Sequence, residues 1–82
     1  MAVPAKGDKM DKKIKALEAA IASQEAHVAR MIAHNPAQVP AIRAAKRIAF
    51  VKRAELQHLL NGGTSATFDL FAAAAAAREA VR

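Results

Sequence analysis

Seven positions in the N-terminal half follow one unbroken 4-3 spacing: Met10, Ile14, Leu17, Ile21, Gln24, Val28 and Met31. At about 3.6 residues per turn this spacing gathers apolar side chains and one glutamine into a narrow stripe. The stripe predicts a first helix over 8–34 with a coiled-coil-like seam for another helix. Gly7-Asp8 supplies its start, with Asp8 as N-cap and Asp11 near the positive end of the helix dipole. Asn35-Pro36 ends it, because proline lacks a donor and disfavours helical conformation in the residue before it.

The link from Asn35 to Pro40 is short, and short links between long helices give antiparallel neighbours. Pro40 suits the first turn of a second helix over 40–61. Stepping about 100° per residue puts Ile42, Ala45, Ala49, Leu56, Leu59 and Leu60 on one side of it, with Ile48 at the margin. That side is the expected partner of the first seam. Lys52 falls inside it and is expected to snorkel, or to pair with Glu18 or Glu25, the latter lying near its level in an antiparallel hairpin.

Asn61-Gly62-Gly63 offers left-handed C-cap chemistry. A third helix over 65–82 follows, with Thr64, Ser65 and Thr67 as candidate N-caps and Asp69 in its first turn. Its alanine run at 72–77 is strongly helix-forming. The fold class expected is therefore all-α: a long antiparallel helical hairpin plus a shorter C-terminal Ala-rich helix. That third helix either folds over the hairpin or reaches another chain, so oligomerisation is one way to complete the helical bundle.

With 82 residues the chain is expected to be one small domain over 1–82, carrying a flexible arm at 1–7. Domains this small are marginal unless stapled or oligomeric. Cysteine is absent, which removes disulfides and thiolate metal sites and suits a reducing compartment. There is no signal-like apolar region near the N-terminus and no apolar run long enough for a membrane span, so a cytoplasmic protein is expected.

Lys and Arg number 13 against 7 Asp and Glu, a formal net charge of +6. Such a balance favours acidic partners, nucleic acid among them, although it also serves solubility. Part of the charge is patterned. Arg43, Lys46, Arg47 and Arg53 share one arc of the second helix with Gln57, and Phe50 lies near its centre. Phe50 is expected to be covered by the third helix through Phe68, Leu70 and Phe71, by a second copy, or by a nucleic-acid strand stacked on the ring while the cations hold phosphates. A second basic cluster, Lys6, Lys9, Lys12, Lys13 and Lys15, opposes the dipole of the first helix and reads as a solvated end or a phosphate-contacting arm.

Catalytic chemistry is not legible. His27 and His34 are seven apart, too far along a helix for one metal ion, and His58 is expected near the start of the first helix. Ser23 and Ser65 sit in no nucleophile turn, and Glu18 and Glu25 are two turns apart on an exposed flank. The 61–65 segment lacks the lysine of a phosphate-binding loop, and the third helix exposes mostly alanine, with no Asn or Gln to read a base edge. No enzyme, catalytic residue, metal, cofactor or small-molecule substrate is expected.

In architecture, residues 8–61 resemble the antiparallel hairpins of Rop-type plasmid proteins, which dimerise into four-helix bundles and bind paired RNA loops. A similar hairpin with a basic second helix occurs in several small ribosomal proteins. These likenesses imply helix packing or RNA contact and carry no residue role across. The expected function is a non-catalytic interaction or assembly protein, an adaptor or structural subunit, with Phe50, Phe68, Leu70 and Phe71 as protein-interface residues. The alternative is a small basic nucleic-acid-binding protein using Arg43, Lys46, Arg47 and Arg53, or a minor structural component of a virion or ribonucleoprotein particle.

Overall fold

The computed structural model describes residues 5–82, with side-chain surroundings from Asp11 onward. It is all-α. Helix α1 spans Ala5–His34, α2 spans Val39–Leu60 and α3 spans Leu70–Ala80, with a short 3-10 turn at Ser65–Thr67 before α3. The expected arm at 1–7 falls in part on residues outside the description. At Ala5 the backbone is already helical, so Gly7 and Asp8 lie within α1 and Asp8 is not its N-cap.

The seam forms as its spacing requires. Ile21 is buried and Ile14, Leu17, Val28 and Met31 are half-buried; Met10 lies outside the described side chains. From α2 the seam receives Ile42, Ala45, Ala49 and Leu59, all buried. Gln24 is the polar member, and its amide donates to the Ala45 carbonyl at 3.1 Å. The seam therefore holds one directional bond among non-directional contacts, which fixes how the two helices slide.

The turn between α1 and α2 is closed by backbone bonds. Asn35 N–H donates to Met31 carbonyl, and Gln38 N–H donates to Asn35 carbonyl at 3.1 Å. Pro40 occupies the first turn of α2, where no donor is needed. At the other end Gly62 adopts a φ of +94°, the conformation that glycine enters without a Cβ clash. Gly63 has a different reason: a Cβ there would overlap the His58 imidazole.

The third helix begins later than its composition predicts. Thr64 and Thr67 form a capping box, but the turn they cap is the 3-10 turn, after which Phe68 is extended. Asp69 then acts as the N-cap of α3, with Oδ1 accepting from Ala72 N–H at 2.9 Å. A cap of this type contributes about 1 kcal/mol. At the far end Val81 and Arg82 lie beyond the helix.

Helix α2 lies between α1 and α3. Its stripe from Ile42 to Leu59 meets α1, while Ala54 and His58 on another flank share a depression with Phe68, Ala72 and Ala73. The α3 residues that seat on α2 are Ala73 and Ala77, 6% and 1% exposed. Their small side chains let the two backbones approach closely. Helix α3 is antiparallel to α2: Thr67 just before it meets His58, and Val81 just after it meets Arg47.

The molecule is extended, 55 × 25 × 13 Å with a radius of gyration of 15.1 Å. A compact chain of this length has a radius near 12 Å. Among the described residues no large side chain is fully buried and no polar or charged one is buried. The core is thin, with Ile21, Ile42 and Leu59 as its large buried members.

Two expected pairings are corrected. Glu25 is taken by Arg53 rather than Lys52, Arg53 Nε donating to Glu25 Oε2 at 2.6 Å with a second bond from Nη2. Arg53 projects on the Glu25 flank of the hairpin, whereas Lys52, one position back and about 100° round the helix, reaches the other flank beside Glu55. The pair remains largely solvated, 60% and 43% exposed, and contributes about 0–1 kcal/mol. His58 faces α3 instead of α1, with Nε2 2.8 Å from Thr67 Oγ1 and its ring 5.7 Å from that of Phe68.

Candidate functional site

Placing α1 and α3 on different flanks of α2 leaves α2 with two open sides, and each carries one of the patterns in the sequence. The first side is basic. Arg43 and Lys46 border a depression of about 330 Å³ floored by Ile32, Val39 and Ile42, with Val81 and Arg82, just past the end of α3, closing it. Neither Arg43 nor Lys46 has a hydrogen bond or ion pair among the described residues. The other two cations of the expected nucleic-acid set are engaged. Arg53 is neutralised by Glu25, and Arg47 Nε donates to the Val81 carbonyl at 2.9 Å.

Arg47 thus has a structural task that sequence reasoning missed. It caps the carbonyl end of α3, where a cation is favoured by the exposed carbonyls and the dipole. The only trace in the sequence was its place in a basic arc, which looks the same whether the side chain meets water, phosphate or a carbonyl. Phe50 is half-buried and lines a second depression with Val28, Ala49 and Val81. The α3 end reaches this aromatic through Val81, not through Phe68, Leu70 or Phe71.

The second open side is apolar. A groove of about 470 Å³ runs between α2 and α3, lined by Ile48, Val51, Leu70, Ala74 and Ala77, with Lys52, Glu55 and Arg78 at its edges. Ile48 is 48% exposed, Leu70 56% and Phe71 87%. Helical spacing puts Phe71 on the same flank of α3 as Ala74 and Arg78. Leu70 and Phe71, singled out for their position at the head of an Ala-rich helix, therefore stand free. Phe68 does not: it is half-buried against His58 and helps to seat α3. Ile48 appeared in the sequence as the margin of the α1-facing stripe; instead it opens this groove.

The groove offers apolar contact edged by charge. No cluster of three metal-ligating side chains occurs among the described residues. No described helix is long and apolar enough to cross a membrane. Comparison with protein-family models, curated protein sequences and solved structures finds no match for this chain.

Proposed function

We propose that this chain is a non-catalytic helical interaction protein, an adaptor or structural subunit of the cytoplasm that works by packing the α2–α3 face against another helical surface. The observation that carries this reading is Phe71, 87% exposed next to Leu70 at 56%, on the same α2–α3 face that Ile48 opens at its other end. Burying a Leu or Phe side chain fully is favourable by about 1.5–3 kcal/mol, so a cluster of them facing water is a strong incentive to associate. The cluster sits on a capped helix rather than a loose loop, so little ordering cost opposes its docking.

A benzophenone amino acid installed at Phe71 tests the reading inside the source cell. Irradiation is expected to yield a discrete covalent adduct, whereas the same group at Ala29, on the solvent side of α1, should yield none. Equal yields at the two positions, or no adduct at Phe71, would sink the proposal.

Arg43 and Lys46, unengaged among the described residues and set at one depression, favour a second reading in which the basic side contacts phosphates. Binding to duplex DNA or structured RNA should then collapse between roughly 50 and 200 mM salt and vanish in the Arg43→Glu, Lys46→Glu double variant. Binding that persists in that variant would rule the basic side out.

A further inference from the structure

We infer that the groove between α2 and α3 takes an acidic amphipathic helix of a partner protein. Its apolar stripe lies on Ile48, Val51 and Leu70, and its carboxylates meet Arg47, Lys52 and Arg78. The inference rests on the interaction reading above and names the chemistry of the partner.

Charge selects the sign of that partner. Three cations, Arg47, Lys52 and Arg78, edge the apolar floor against the single acid Glu55. Lys52 and Arg78 have no ion pair or side-chain hydrogen bond among the described residues, and Arg47 bonds a carbonyl, so its charge has no counter-ion. Covering these groups with a neutral or basic surface would take them from water without compensation, whereas a row of carboxylates supplies it. The net charge of +6 steers acidic surfaces toward the chain and opposes the approach of a second copy.

The cations are also unevenly placed. Because α3 is antiparallel to α2, Arg78, one turn before Val81, lies at the end of the groove where Arg47 meets Val81. Glu55, one turn before His58, lies at the opposite end with Leu70, and Lys52 falls between. The partner's carboxylates therefore belong over Lys52 and the Arg47–Arg78 end, and a neutral or basic side chain belongs over Glu55.

The backbone selects a helix. The lining residues sit within α2 and α3, whose N–H and carbonyl groups bond along the helices. The groove thus offers no row of free backbone groups with which an extended peptide could pair, while a helix satisfies its own. From Arg47 to Glu55 it runs about 12 Å along α2, at 1.5 Å per residue. Anchors at i, i+4 and i+7 of a docked helix span about 10 Å, which fits that length.

Binding of stapled helical peptides to the full chain, followed by fluorescence anisotropy at low and high salt, is the test. The panel carries varied apolar residues at i, i+4 and i+7, flanked by Glu in one set and by Lys in a matched set. Glu-flanked peptides are expected to bind at least about tenfold tighter than their Lys-flanked counterparts, and less tightly as salt rises. Lys52→Glu with Arg78→Glu should remove most of that preference, with circular dichroism unchanged because neither residue makes a described contact of this kind. Arg43→Glu with Lys46→Glu changes the net charge equally on the other side of α2 and should leave most of it.

Lys-flanked peptides that bind as well as Glu-flanked ones overturn the inference, as does equal weakening by the two double variants, which would make net charge the whole effect. Binding to phosphatidylglycerol vesicles with no binding of any peptide would assign the face to a lipid surface instead. An adduct of the Phe71 benzophenone with another copy of the chain would assign it to self-association. If that benzophenone captures a discrete partner while no Glu-flanked peptide binds, the acidic helix is wrong and the interaction reading stands. No adduct and no peptide binding removes both.

Discussion

Replacing Ala77 by leucine is expected to strip α3 from the hairpin. Ala77 is 1% exposed and, with Ala73, forms the surface on which α3 sits against α2. Leucine adds three carbon atoms to a side chain that is already 1% exposed on the inner wall of the groove, and overpacking of the α2–α3 contact costs about 1–3 kcal/mol. Beyond that face α3 is held by the Arg47 bond to the Val81 carbonyl, by Val81 at the Phe50 depression, by the His58 contacts with Thr67 and Phe68, and by the linker. Once detached, an 11-residue helix is too short to persist in water, since isolated helices below about 12–15 residues are marginal.

The expected signature is therefore partial. Helical ellipticity should fall by the share belonging to α3, protease should cut near Asn61–Thr64, and the α1–α2 hairpin should still melt cooperatively. Leucine at the exposed Ala76 is the control and should change none of these. Unaltered helicity and protection in the Ala77 variant would mean that α3 is held by something other than its alanine face.

Ile21→Ala is expected to be the most destabilising single truncation in α1. Ile21 is 6% exposed at the centre of the seam, and comparable truncations of buried isoleucine cost about 2–5 kcal/mol. A domain of this length has only about 4–12 kcal/mol in total. Taking a loss near 2–3 kcal/mol, the melting temperature should drop by about 10–20 °C. Ile32→Ala, at a position 45% exposed beyond the seam, should shift it far less. Equal shifts for the two would show that the 4-3 stripe is not the surface that binds α2.

Those two residues also show how unevenly the sequence speaks. Ile21 was legible because burial in a helical hairpin imposes a period, and the 4-3 spacing from Ile14 to Met31 carries that period without ambiguity. The turns were legible because Pro36, Pro40 and Gly62 each restrict or free the backbone in a way no other residue does. Start points were less so. Thr64 and Asp69 are both good N-caps, and only the extended Phe68 between them decides that one caps a 3-10 turn and the other α3.

Side-chain partnership was the least legible level. Lys52 and Arg53 are neighbours with the same charge, and their choice between Glu25 and the outer groove depends on a helix rotation finer than a stripe defines. Arg47 reads as part of a basic arc, yet its guanidinium serves a carbonyl of its own chain. Phe68 and Phe71 are three apart at the same helix entrance, and one seats α3 while the other faces water. Which patch acts on a partner is hidden for a related reason: apolar contact uses no motif, so Ile48, Leu70 and Phe71 carry no sign of what they meet.

The central claim is that Phe71 is covered when the protein works, and its solvent exposure can be read directly. A fluorinated phenylalanine placed at Phe71 reports, through the shift of its fluorine resonance between light and heavy water, whether water reaches the ring. In dilute solution the shift should be that of an open ring, in keeping with 87% exposure. On adding the partner captured by cross-linking, the shift should shrink and the resonance move as the ring is buried. A ring that keeps its full solvent shift in the presence of that partner would contradict the account and leave the α2–α3 face without a role.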